Sequence, residues 1–297
     1  MRVFVTGASG FIGSAVVSEL IAAGHQVLGL ARSDSSAHAI QAAGGQVHRG
    51  DIADLDSLRT GAETADGVIH LAFNHDFADY TGAAETDRRA IEALGNALAE
   101  SDRPFVVTSG LAGFALGHPM TEDDVASPDS PRFSEHAALA FTSRGVRVSV
   151  LRLPPSVHGE GDHGFVPRLI DIAREKGVAG FPGDGRNKWP AVHRLDAARL
   201  FRLALESAPA GARLHAIGDE GVPVRDIAGT IGRHLGLPVT SIAPEAAVEH
   251  FGWLGTFFSL DVPASSAITR ELLGWQPTRP RLLDDLDEGH YFRERAA

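Results

Sequence analysis

Short apolar runs alternate with helical stripes through the first half of the chain. Residues 3–5 are β-branched and aromatic, and 26–31, 47–51, 67–72, 104–108 and 146–153 are similar strand-like runs. Between them, 14–23, 37–43, 55–61, 86–100 and 134–143 carry helical patterns. Ile91, Leu94 and Leu98 share one helical face, and Gly24 closes the first helix. Strands alternating with helices over about 150 residues predict right-handed βαβ units on a parallel sheet. The expected class is α/β, a Rossmann-type doubly wound parallel sheet.

After Pro154 the pattern changes. Residues 154–190 are rich in Gly, Pro and His around one helix at 165–176. Residues 191–193 begin a short return toward the sheet, followed by a helix at 196–207. Residues 222–297 read as short helices separated by Pro and Gly. The expected division is a dinucleotide-binding domain of 1–153 plus about 191–218. A smaller, mostly helical C-terminal substrate domain takes about 154–190 plus 219–297. The polar stretch 114–133 reads as a lid loop. Phe257 and Phe258, with Trp253 and Leu254 nearby, line an apolar substrate pocket or, by default, form core.

The strongest local signal is Thr6-Gly7-Ala8-Ser9-Gly10-Phe11-Ile12-Gly13, with glycines at 7, 10 and 13 between a strand and a helix. Gly7 permits the tight turn, Gly10 admits a pyrophosphate, and Gly13 lets the helix pack on the sheet. The helix N-terminus, from Ser9 to Ile12, offers free N–H groups to phosphates. At the end of the second strand a NAD site usually carries an acidic residue against the ribose 2′-hydroxyl. Here Leu30-Ala31-Arg32-Ser33 is apolar and then basic. Arg32 suits a 2′-phosphate and Ser33 adds a hydroxyl, so the expected cofactor is NADP(H). The alternative is a solvated turn arginine.

These motifs together resemble the short-chain dehydrogenase/reductase superfamily, on its extended, epimerase/dehydratase-like branch, along nearly the whole chain. Thr6–Gly13 is similar to the family's T-G-x-x-G-F-I-G. The resemblance implies adenine binding by Asp51 and Ile52 after the third strand. It implies that Leu71, Ala72 and Phe73, from the I-H-L-A element, lie along the cofactor with Thr108. It implies that the backbone of Pro154, Pro155 and Ser156, in the element ending Val157-His158-Gly159, holds the nicotinamide amide. Val192-His193-Arg194-Leu195-Asp196 resembles a V-H-x-x-D element.

Composition then changes the picture. The family's catalysis uses Tyr-x-x-x-Lys with a Ser or Thr. This chain has two tyrosines, Tyr80 and Tyr291, and two lysines, Lys176 and Lys188. Four residues after the tyrosines stand Ala84 and Arg295, and four before the lysines stand Ile172 and Asp184. No Tyr-x-x-x-Lys exists. Matching Ser134 and Ala137-Ala138 to the family's helix puts Pro131 at the tyrosine and Glu135 at the lysine. The nearest match to the catalytic hydroxyl is Ser109 or Gly110, depending on register, and Ser109 is the candidate. Histidine is the natural replacement as a proton carrier. His75, His158 and His163 lie in segments expected to converge on the cofactor, each with a structural role as the alternative.

The remaining composition excludes more than it selects. With no cysteine there is no thiol catalysis and no iron–sulfur cluster. The −11 charge argues against nucleic-acid partners. No ligand spacing supports a metal. No run nears the roughly 18 apolar residues of a membrane span, and no leader pattern is seen. The expected protein is a cytoplasmic homodimer acting on a small-molecule substrate. The expected reaction is NADP(H)-dependent reduction of a small apolar carbonyl or imine. The alternatives are a catalytically silent NADP(H) sensor and a nucleotide-sugar epimerase or dehydratase.

Overall fold

The computed structural model describes residues 1–74, 79–111, 117–127 and 133–293. The chain begins β1 (Arg2–Thr6), α1 (Phe11–Ala22), β2 (Gln26–Ala31), α2 (Asp34–Ala42), β3 (Gln46–Arg49), α3 (Leu55–Glu63) and β4 (Gly67–His70). It continues with α4 (Tyr80–Leu98), β5 (Pro104–Gly110), α5 (Ser134–Leu139) and β6 (Arg147–Leu153). The predicted order of elements is the observed one. The last helix of this half is shorter than its pattern, because 140–144 tightens to 3-10 before Gly145 adopts a left-handed φ of 71°.

The rest is β7 (Ser156–His158), α6 (Phe165–Lys176), β8 (Ala179–Pro182), β9 (Lys188–His193), α7 (Arg194–Ser207) and β10 (Ala212–His215). Then follow β11 (Asp219–Pro223), α8 (Val224–Leu235), β12 (Val239–Ile242), α9 (Ala247–Phe251), α10 (Leu254–Phe258), α11 (Ala267–Leu273) and α12 (Leu282–Asp287). One sheet of seven strands, in the order β3-β2-β1-β4-β5-β6-β10, is parallel throughout.

Successive strand residues point to opposite faces, and a parallel sheet is covered on both. Val3 and Val5 pack with α1 and α7 residues such as Leu20, Phe201 and Leu205. Phe4, between them, faces Leu58, Ile91 and Leu94 of α3 and α4. This two-sided burial explains why the strand runs are apolar without alternation.

A third apolar cluster joins α6, α8, α10 and α12 through Leu169, Ile170, Trp189, Ile231, Phe258 and Leu286. Two small sheets, β11-β9-β7 and β12-β8, flank it. Residues 191–193 therefore do not return to the large sheet. They belong to β9, which pairs with β7 and β11, and the chain rejoins the large sheet only at β10. Phe258 is core, as the default reading had it, while Trp253 is 44% exposed. Within the expected lid, Met120, Glu122 and Ala126 are buried. Met120 is bridged to Ala264.

Candidate functional site

The glycine turn opens α1. Gly7 has φ +68°, and a Cβ there would stand 2.8 Å from the Ala72 nitrogen. That combination of left-handed backbone and close approach requires glycine. A Cβ on Gly13 would lie 1.9 Å from the Gly7 carbonyl oxygen, so Gly13 packs the helix against the turn itself. Ser9 and Gly10 are exposed, and Gly10 is the N-cap of α1 with no side-chain cap and no acidic residue in the first turn. The uncapped N–H groups remain available to an anion.

Beneath the turn runs a buried polar chain. The Thr6 hydroxyl accepts the N–H groups of Leu71 and Ala72, each at 3.2 Å. Its own proton goes to His70 Nδ1 at 2.8 Å, and His70 Nε2–H donates to Asp87 Oδ1 at 3.1 Å. The Ser134 hydroxyl donates to Asp87 Oδ2. Thr108 Oγ1 donates to the His70 carbonyl at 2.8 Å. These contacts fix the backbone of Leu71 and Ala72 to β1, α4 and α5. Phe73, half-buried, stands 6.0 Å ring to ring from Tyr80.

At the other end of the turn Arg32 is exposed after buried Ala31. The Ser33 hydroxyl caps α2, accepting the Ser36 N–H at 3.1 Å. Asp51 Oδ1 accepts the Ala53 N–H at 2.9 Å, and Ile52 packs on the α3/α4 core.

The helix α5, where the resemblance places the catalytic pair, does different work. Glu135 is 2% exposed and grips Arg152 with two hydrogen bonds of 2.9 and 2.7 Å. It also accepts from Arg213 at 2.6 Å. Burial pushes the Glu135 carboxyl up, but the bonds and charges of the two arginines outweigh it and hold it below the usual range. Ser109 is buried at the end of β5, in register with Arg152. Pro131 and His75 lie outside the described residues.

Beyond β6, Pro154 and Ser156 are buried, Pro155 is half-buried, and Ser156 Oγ has no hydrogen-bond partner among the described residues. His158, 1% exposed, donates from Nδ1 to Asp285 Oδ2 at 2.7 Å, and its Nε2 is buried without a partner among the described residues. His290 Nε2–H donates to the other Asp285 oxygen at 3.0 Å. Burial raises the Asp285 carboxyl, and the two histidines lower it further, to a net depression. His163 is exposed, its ring edge-on to Phe11 at 5.7 Å. His158 and His163 are thus not brought together.

Asp285, His290 and Tyr291 escaped the sequence reading, since nothing local marks a C-terminal segment as the partner of residues 158–162. Tyr291 OH donates to Asp162 at 2.9 Å and accepts the Gly159 N–H at 3.0 Å. Burial and the Asp162 charge drive its phenol far above the usual range, so it is a poor proton donor. Asp285, Glu288 and His290 are the one group of potential metal ligands gathered among the described residues.

The residues present fit a dinucleotide. The turn tolerates no Cβ at Gly7 or Gly13, α1 has no side-chain cap at its N-terminus, and the Ser156 hydroxyl is buried with no hydrogen-bond partner among the described residues. A bound nicotinamide cofactor supplies or accepts hydride; the chain's part is to bind and orient it.

A seven-stranded doubly wound sheet with this turn at its carboxyl edge is the architecture of a dinucleotide-binding protein. The NAD dependent epimerase/dehydratase family model matches residues 3–217, and the chain belongs to that family. It is 50% identical to an uncharacterized protein of Schizosaccharomyces pombe, over 98% of this chain and 100% of the relative. It is 31% identical to the 4-hydroxy-2-methyl-3-oxo-4-farnesyl-3,4-dihydroquinoline-1-oxide ketoreductase of Stigmatella aurantiaca, over 71% of this chain and 66% of that one. In fold it is similar to DesIV, a dTDP-glucose 4,6-dehydratase of Streptomyces venezuelae solved with NAD and TYD. The TM-score is 0.79 and the identity 23%, over 99% of this chain and 97% of that one.

Proposed function

We propose that the protein reduces a small, fairly apolar carbonyl or imine with NADPH by hydride transfer, without the family's usual Tyr/Lys pair. The observation that carries this is the state of α5. Glu135 and Ser134 are engaged with Arg152, Arg213 and Asp87, so neither is a free proton donor. Positioning of donor and acceptor supplies much of the rate of a hydride transfer. An iminium already carries its charge and needs no proton at the neighbouring atom, whereas a ketone yields an alkoxide. Imines therefore suit this site better. Ser109 is assigned to polarising the substrate. His75, His158 and His163 are the histidines assigned to proton supply, of which His158 is held by Asp285. The likeness to a ketoreductase supports reduction over epimerisation, which needs a base to remove a hydroxyl proton.

Within this reading Arg32 selects the 2′-phosphate, and Ser33 stands beside it as the cap of α2. Asp51 and Ile52 flank the adenine, and 154–156 hold the nicotinamide. The α6/α8/α12 cluster forms the substrate domain of a cytoplasmic homodimer. The test is NADPH oxidation against matched panels of cyclic imines and ketones, with the NADP/NAD affinity ratio before and after Arg32→Ala. Faster turnover of imines is expected, with a ratio that falls about tenfold, one charge-assisted contact's worth. Equal rates on both panels overturn the imine preference, and an unchanged ratio overturns the NADP(H) assignment. Tight binding with no turnover on either panel identifies the sensor instead.

A further inference from the structure

We infer that Arg194 is a second-segment clamp on the cofactor's pyrophosphate, completing a phosphate site that the glycine turn only begins. The inference rests on the family's dinucleotide site and is independent of the reduction proposed above.

The argument starts from two helices. Arg202 pairs with Glu19 at 2.7 Å and Glu206 with His25 at 2.9 Å, so α7 runs alongside α1 in the same direction. Their N-termini lie together at the carboxyl edge of the sheet. Arg194 is the first residue of α7, and Phe11 the first of α1. The Arg194 guanidinium carbon stands 4.9 Å from the centre of the Phe11 ring. A cation is thus held at the start of the helix whose bare N–H groups receive phosphate.

The cation is not spent elsewhere. Among the described residues no carboxylate forms an ion pair with Arg194. Among the described residues its one side-chain hydrogen bond runs from Nη1 to the Glu160 carbonyl at 3.0 Å. That bond fixes the side chain and leaves the other N–H groups of the fork free. Arg103 and Arg147, also half-buried without an ion pair among the described residues, spend two or more N–H groups on backbone carbonyls, whereas Arg194 spends one.

The neighbouring loop is shaped around it. Gly159 has φ +136°, and a Cβ there would stand 3.1 Å from both Arg194 Cγ and His193 Nε2. The loop also brings the His163 ring to Phe11, 5.7 Å ring to ring and nearly perpendicular. A planar fork held over an aromatic ring is pre-organised for two phosphate oxygens, which lysine would not reproduce.

The experiment measures dissociation constants of NADP+ and NAD+ by calorimetry for the full chain, Arg194→Met and Arg194→Lys. Both cofactors share the pyrophosphate, so Arg194→Met should weaken both by the same factor, about 10- to 100-fold. Its salt dependence should be shallower than that of the unsubstituted protein. Arg194→Lys keeps the charge and should weaken binding less. Adenosine 2′-monophosphate, which lacks the pyrophosphate, should bind all three equally. Constants within twofold of the unsubstituted protein for both dinucleotides overturn the assignment, as does weakening confined to NADP+. If Arg194→Met does not fold, Arg194→Lys with an unchanged affinity and salt slope overturns it too. The 2′-phosphate reading fails separately, through Arg32→Ala.

Discussion

The glycine turn leads into α1 on one face of the large sheet and α5 packs on the other, and they depart from the family pattern to different degrees. At the turn every family feature is kept, because backbone geometry demands it: a Cβ on Gly13 has no room beside the Gly7 carbonyl. On α5 the expected lysine position is Glu135, and its charge is complemented from β6 and β10 by Arg152 and Arg213. A site built from backbone resists change residue by residue. A site built from side chains can be exchanged whole, provided the buried charges still balance.

Reversing the charge on α5 is the harshest way to break that comparison. Removing one partner of a buried ion pair strands the other, at about 3–5 kcal/mol. Glu135→Gln should lose that much in chemical denaturation. Glu135→Lys, which restores the family's residue type, should lose at least as much because it sets three cations together. A stable Glu135→Lys protein with gained ketone reduction would show that the helix had kept its ancestral geometry.

The turn should be less costly to damage, yet lose more function. Gly13→Ala forces the first turn of α1 off the loop, an overpacking cost of about 2–3 kcal/mol. Dinucleotide binding should be lost in a protein that still folds. Retained affinity would mean that Gly13 is not the helix–turn contact that orients α1.

These two regions also differ in how far they could be read in advance. The turn, the β1–α1–β2 unit and the apolar strands are local patterns, so their positions and order were legible. That no Tyr-x-x-x-Lys spacing occurs can be read from two tyrosines and two lysines. The Glu135 partners were not, because Arg152 and Arg213 are brought to it by strand order, 17 and 78 residues away. Asp285 meets His158 across 127 residues for the same reason. The strand β9 was misplaced because three residues of apolar pattern cannot say which sheet they join.

Acid should probe the packing behind α5. Burial is the main reason the His215 imidazole is pushed down to about 4; its Nδ1–H donates to the Ser265 carbonyl and its Nε2 meets Arg152 at 3.1 Å. An unfolded histidine titrates near 6.5. The unfolded chain therefore binds more protons between these values, and the folded state loses stability as pH falls from about 6.5 toward 4. The expected loss is about 1–2 kcal/mol by pH 5. His193, also pushed down to about 4 by burial first and then by the His158 charge, adds in the same direction. His215→Gln should flatten the slope of melting temperature against pH over this window. An unaltered slope would place the acid sensitivity elsewhere.

The smallest effect separates two uses of one hydroxyl at the far end of the turn. Ser33 lies beside Arg32, where a 2′-phosphate would need donors, yet its oxygen is already the N-cap of α2 through Ser36. An N-cap oxygen accepts a backbone N–H and still has a proton to give, and here that proton goes to Ser36 Oγ at 3.0 Å. Both roles draw on the same atom, so they predict different losses. If capping dominates, Ser33→Ala costs about 1 kcal/mol of stability and leaves the NADP/NAD affinity ratio within twofold. If the hydroxyl turns to the cofactor, the ratio falls while stability in the presence of NADP+ falls more than in its absence. The first outcome is expected, because α2 needs its cap whether or not a dinucleotide is bound, and Arg32 alone carries the charge that a phosphate seeks.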